Sequence, residues 1–245
     1  MIAVLIEYIK IRLHLVQLIG LTILMSMLVL SINDPLNIWI SSMLFLVTSF
    51  IVFRILDDAF SATIDREEHP ERTYLNPSKF KLFKKITVII IGVYLLSISL
   101  VLSRIYFMIF LLFISSLVLY YLFGKQLFVI KLIPLLKYPV LLYCVSNIAI
   151  HQVDQGVLFS SFLLMAGFDS FDRVKVNSNH IWIPLLLLFL CSVFLFKPWY
   201  NYIDILFCFF PLLIIYRLRK KSITPYFSIL FYPITFFILT HLYYE

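Results

Sequence analysis

Residues 36–72 read LNIWISSMLFLVTSFIVFRILDDAFSATIDREEHPER. From Leu36 to Phe53 no residue is charged, and such a run is of span length: a bilayer core of ~30 Å takes ~20 apolar residues of helix. The composition then turns over. Arg54, Asp57, Asp58, Asp65, Arg66, Glu67, Glu68, Glu71 and Arg72 follow in quick succession. A membrane span near 36–56 that runs straight into an acidic loop studded with cations is the reading around which the rest of the chain is organised.

The same signature extends over the whole sequence. Of its 245 residues 62% are hydrophobic and only 13% charged, with a mean hydropathy of +1.02. A soluble domain carries about twice that charged fraction. Further span-length runs lie near 13–32, 86–103, 105–123, 181–196, 199–216 and 225–242. The region 127–168 is apolar but interrupted by polar residues, and splits near Val153 into two helices, the second of them short. The expected fold is therefore all-α: a polytopic transmembrane bundle of about nine spans, forming a single integral-membrane domain over residues 1–245. Leu13–Ile32 is longer than the core of a cleavable signal peptide, so none is expected. Cys144, Cys191 and Cys208 sit inside apolar stretches without a CxxC pair and read as packing residues.

Charge sets the orientation, because Lys and Arg accumulate in cytoplasmic loops. With nine spans and the N-terminus inside, all 20 Lys and Arg except Arg104 and Lys197 fall on the cytoplasmic side. The net charge of +7 is then a topology signal and a match to anionic membrane lipid, not a nucleic-acid footprint. The cell (inner) membrane is the expected location.

Two cytoplasmic acidic loops, about 57–85 and 169–180, hold eight of the 13 acidic residues. If the span before the first loop continues as helix, Asp58 and Asp65 share one face with Ser61 between them. In the second, Asp169 and Asp172 are three apart where a span exits. Carboxylates at helix ends, without Cys, suit Mg²⁺, which keeps waters, takes one or two carboxylates and bridges to substrate phosphates. Arg66, Arg72, Arg173 and Lys175 supply the cations that a Mg²⁺-diphosphate needs for charge balance. Ordinary solvated loops also mix acids and bases; two such loops on one face favour a site.

At these residues the chain resembles the UbiA superfamily of intramembrane prenyltransferases, helical bundles of eight or nine spans with two Asp-rich cytoplasmic motifs. Asp57 stands at the leading Asn of the first motif, Asp58 next and Asp65 at its end, while His69-Pro70-Glu71-Arg72 is similar to the segment that follows it. Asp169 and Asp172 stand where the second motif begins. The chain departs from the pattern at Ser61, where the middle Asp is replaced, and after Asp172, where a third acid is absent. The resemblance implies a Mg²⁺-dependent enzyme that moves a prenyl group from an isoprenoid diphosphate to a lipid-soluble acceptor. Asp57, Asp58, Asp65, Asp169 and Asp172 would be the metal residues, and Arg66, Arg72, Lys125, Arg173 and Lys175 the diphosphate contacts. The two departures keep open a non-catalytic member of the same fold that binds a polyprenyl lipid or serves as a complex subunit.

His151 and Asp154 lie in the hairpin between the fifth and sixth spans. A recessed hairpin tip would let them contact an acceptor; otherwise they form a wet turn. A secondary transporter would require broken helices with acids buried in spans, and acids at helix ends fit that less well.

Overall fold

The computed structural model describes residues 4, 6–9, 15–68, 77–123, 133–150, 152–173, 182–196, 211–217 and 224–242. Among these the regular structure is helical, with no strand. The main helices are α1 (Leu15–Ser26), α2 (Leu36–Glu68), α3 (Pro77–Val101), α4 (Arg104–Phe123), α5 (Lys137–Ala149), α6 (Gln155–Arg173), α7 (Trp182–Phe196) and α8 (Thr224–Leu242). Residues 6–9 and 211–217 are also helical.

Among the described residues, three helical stretches are long and apolar enough to cross a bilayer: Leu36–Phe60, Lys79–Val101 and Arg104–Tyr121. They coincide with the second, third and fourth expected spans. Shorter apolar helices, Gln17–Ser26, Ile133–Ala149, Trp182–Phe196 and Leu230–Leu239, lie within or across four other expected spans. The first stops well before Ile32 because the chain turns over residues 27–34, where the Ser31 amide donates to the Asp34 carboxylate at 2.7 Å. Hydropathy windows see apolar residues on both sides of that turn and run through it.

α2 is the longest of the described helices. It packs against α1, α3, α4 and α5, while α5 also packs on α6, and α6 on α7 and α8. α8 returns to α1 and closes the ring. Aromatic pairs join aliphatic residues in these contacts: Phe53 meets Phe110 and Phe113 of α4 at ring distances of 6.1 and 5.8 Å, and Phe50 meets Tyr138 of α5 at 5.9 Å. The opposite faces of α3 and α4 expose Val88, Leu96, Leu100, Ile105 and Leu112. A continuous apolar face of this kind is what a helix shows to lipid.

Small residues set the closest seam. A Cβ on Gly156 would meet the Phe194 carbonyl oxygen at 2.8 Å, and one on Gly167 would meet Leu188 Cδ2 at 2.9 Å. Between them the Ser160 hydroxyl donates to the Cys191 carbonyl at 3.2 Å. Small residues in such a seam let helix backbones approach, which drives association where the surroundings are as apolar as the side chains.

The break expected near Val153 lies between Ala149 and Gln155. Ile150 closes α5 in the left-handed region at φ 60°, its N–H donating to the Asn147 carbonyl at 3.3 Å. The Asp154 carboxylate accepts from the Gly156 N–H at 2.7 Å and its carbonyl takes the Val157 N–H, so Asp154 caps α6.

Candidate functional site

α2 does not end with its apolar run. It continues as helix to Glu68, 33 residues in all, or ~50 Å at 1.5 Å per residue, well beyond the ~30 Å of a bilayer core. Asp57 and Asp58 therefore lie within a helix rather than a loop. Positions 58, 61 and 65 recur on one side of it, three and four residues apart.

Asp58 enters an apolar cluster of Val4, Tyr8, Ile55, Ala59, Phe83 and Ile86, and is 1% exposed. A carboxylate so removed from water must be hydrogen-bonded or paired. The Tyr8 hydroxyl, itself fully buried, donates to Asp58 Oδ2 at 2.9 Å. Arg54, one turn back on α2, brings Nε to 3.7 Å from the same oxygen. The Tyr8 ring rests against Phe83 with centroids 5.1 Å apart, and next to it the Lys79 ammonium donates to Glu7 at 2.8 Å. The N-terminal helical segment is thus held on α2 by a phenol–carboxylate bond and on α3 by an ion pair.

Asp57 turns elsewhere. Consecutive helix residues are ~100° apart. Its Oδ1 accepts from the Tyr121 hydroxyl at the end of α4 at 2.5 Å. Phe60, from the next turn of α2, stacks on the Tyr121 ring at 5.3 Å and 7°. Two adjacent carboxylates are consequently held by two tyrosines from opposite ends of the first half of the chain.

Of the other expected residues, Asp65 and Arg66 lie on the last turns of α2, and Asp172 and Arg173 at the end of α6. Asp169 is partly buried in the same part of α6. Arg72, Lys125, His151 and Lys175 lie outside the described residues. α5 stands between α2 and α6, packing on both. Among the described residues no three His, Cys, Asp or Glu side chains come together as a metal cluster. Asp154 is exposed, caps α6 and lines a pocket of about 320 Å³ with Met27–Ser31, Gln152, Val153, Val157 and Phe236.

Sequence reasoning does not find Tyr8, Tyr121 and Arg54 as partners of the acidic pair. The i, i+4 spacing of Arg54 and Asp58 is a local signal that points to one of them. Tyr8 and Tyr121 are 50 and 64 residues from their carboxylates, and no local pattern marks them.

The residue types at positions 58, 61 and 65 are those a hard cation takes, but Asp58 is enclosed by apolar residues and its Oδ2 faces both Tyr8 and Arg54. No family model, curated protein or solved structure matches the chain.

Proposed function

We propose that this chain is a multi-pass membrane protein with its N-terminus in the cytoplasm, and a divergent UbiA-like prenyltransferase. It moves a prenyl group from an isoprenoid diphosphate to a lipid-soluble acceptor, with Mg²⁺. The observation that carries the reading is the unbroken α2 helix, which leaves the apolar run and sets Asp58, Ser61 and Asp65 at one-turn intervals. Asp58 and Asp65 would hold the ion, with Asp57, Asp169 and Asp172 in supporting positions and Arg66, Arg72, Lys125, Arg173 and Lys175 balancing diphosphate charge. Bound Mg²⁺ supplies Lewis-acid stabilisation of the leaving diphosphate. The apolar surroundings of Asp58 exclude water, which strengthens every charge interaction near it.

The test is calorimetric titration of the purified protein with farnesyl diphosphate, with and without Mg²⁺. Binding that needs Mg²⁺ and is weakened by both Asp58→Asn and Asp169→Asn supports the reading. Binding indifferent to the metal and to both substitutions overturns it.

One observation favours a second reading, a non-catalytic protein of this fold that binds a polyprenyl lipid or acts as a complex subunit. The Tyr8 bond to Asp58 makes the first acidic position a structural tie. That reading expects polyprenyl lipid to bind equally well in the presence of a metal chelator.

A further inference from the structure

α2 and α3 share an open groove of about 670 Å³, walled by Leu44, Thr48 and Val52 on one side and by Ile89, Val93 and Ser97 on the other. The polar side chains that line it are already engaged. The hydroxyls of Ser41, Thr48 and Ser97 donate to the carbonyls of Asn37, Leu44 and Val93 on their own helices, at 2.7, 2.7 and 2.9 Å, and Tyr94 shares a hydrogen bond with Ser49. Hydroxyls turned back on their own helix leave an occupant apolar contact to make and no hydrogen bond to satisfy. Along α3 the groove runs from Ile89 to Val101, or ~18 Å at 1.5 Å per residue, against ~15 Å for half of a bilayer core. That is the reach of one lipid chain.

Charge stands at one end of this groove. Lys85 is one turn before Ile89 and Lys81 one turn before Lys85, so the two lysines and the first groove residue of α3 form a single row. Lys81, Lys84 and Lys85 are all exposed, and Lys84 lies 5.0 Å over the Phe80 ring. α3 begins at Pro77 with no acid in its first turn, so the positive end of the helix dipole adds to the same field. Beyond the lysines the exposed side of α3 turns apolar at Val88, Leu96 and Leu100. Exposed lysines followed at once by apolar surface match, in order, the phosphate and the chains of a phospholipid. We infer that the α2–α3 groove and the lysine row form one site for an anionic glycerophospholipid, its phosphate at Lys81 and Lys85 and one acyl chain between Thr48 and Val93. A helix of another protein would fill the groove without answering the lysine charge, which the anionic headgroup does. The site rests on the membrane reading of α2 and α3 and is independent of prenyl transfer.

The full chain is reconstituted in phosphatidylcholine vesicles with a trace of phosphatidylglycerol or phosphatidylcholine spin-labelled on the acyl chain, and the motionally restricted fraction is read by electron paramagnetic resonance. Wild type should prefer phosphatidylglycerol about fivefold or more. Lys81→Gln with Lys85→Gln should bring the ratio close to one. Lys137→Gln with Arg217→Gln removes the same charge elsewhere and should leave the ratio unchanged. Ser97→Phe sets a ring in the groove and should displace the restricted phosphatidylglycerol with every lysine in place. Thr48→Phe does so from α2 and decides the matter if circular dichroism and gel filtration show Ser97→Phe misfolded. Equal losses from the two charge pairs would reduce the preference to diffuse surface attraction and overturn the site, as would groove variants that change nothing. Disulfide-linked dimers of Ser41→Cys that exclude the labelled lipid would assign the groove to a second copy and overturn it as well. Failure of the chain to enter vesicles overturns the membrane reading and the lipid site together, whereas a restricted fraction indifferent to headgroup and to all variants overturns the lipid site alone.

Discussion

Tyr121 donates to a carboxylate across 64 residues of sequence, and a bond to an ionised acceptor contributes about 1.5–3 kcal/mol. Tyr121→Phe should therefore destabilise the protein by that amount, since the stacked contact with Phe60 survives the change. Chemical denaturation in detergent measures it. A double-mutant cycle with Asp57→Asn should return a coupling of about 1 kcal/mol or more; additive losses would show that the bond contributes nothing. Ser61 is the second residue whose replacement is informative, because its position lies one turn from both Asp58 and Asp65. Ser61→Asp restores the acid that the resembling enzymes carry there, but a third carboxylate at that spacing adds like-charge repulsion. Under the proposed function the expected outcome is lower Mg²⁺-dependent prenyl transfer. Higher turnover would mean that the site had lost a ligand without adjusting to its loss.

Two elements are shaped by backbone demands. α5 ends on Ile150, a β-branched residue held at φ 60° and 88% exposed. A side chain in that region costs roughly 1–2 kcal/mol relative to glycine, and this one has little packing to offset it. Ile150→Gly should raise stability by about 1 kcal/mol in thermal or chemical unfolding. α6 lies so close to α7 that a Cβ at Gly167 would sit 2.9 Å from Leu188 Cδ2. Gly167→Ala drives a methyl into Leu188 and should cost about 1–3 kcal/mol through overpacking. The same substitution at Gly92 of α3, where nothing lies within 4 Å, should be stabilising by about 0.5–1 kcal/mol, as expected in a helix interior. The contrast between the two glycines separates close packing from helix propensity.

For the molecule as a whole, the testable quantity is which ends of the helices share a side of the membrane. With the N-terminus inside, the chain between α2 and α3 and the chain entering α8 are both cytoplasmic. Ser78→Cys and Ser222→Cys should then be shielded from an impermeant thiol reagent in intact cells and labelled after permeabilisation. Labelling of either from outside would reverse the proposed orientation.

Hydropathy and helix length were enough to expect an all-helical chain, its three long apolar helices and the break near Val153, because burying backbone in lipid requires helix wherever about 20 apolar residues run together. The continuation of α2 through Asp58 to Glu68 was also readable in conditional form, since no Gly or Pro interrupts 36–68. Helix ends were not, because a turn such as 27–34 depends on hydrogen bonds from Ser31 and Asp34 that hydropathy does not register. The partners of the acidic pair lay further out of reach. Asp57 and Asp58 are neighbours in sequence, yet the turn of the helix sends one to Tyr121 on α4 and the other to Tyr8 of the N-terminal segment. Local periodicity encodes which side of a helix a residue occupies. Which helix covers that side follows from packing across the whole chain, and here it leaves Asp58 enclosed by Tyr8 and an apolar cluster drawn from three separate segments.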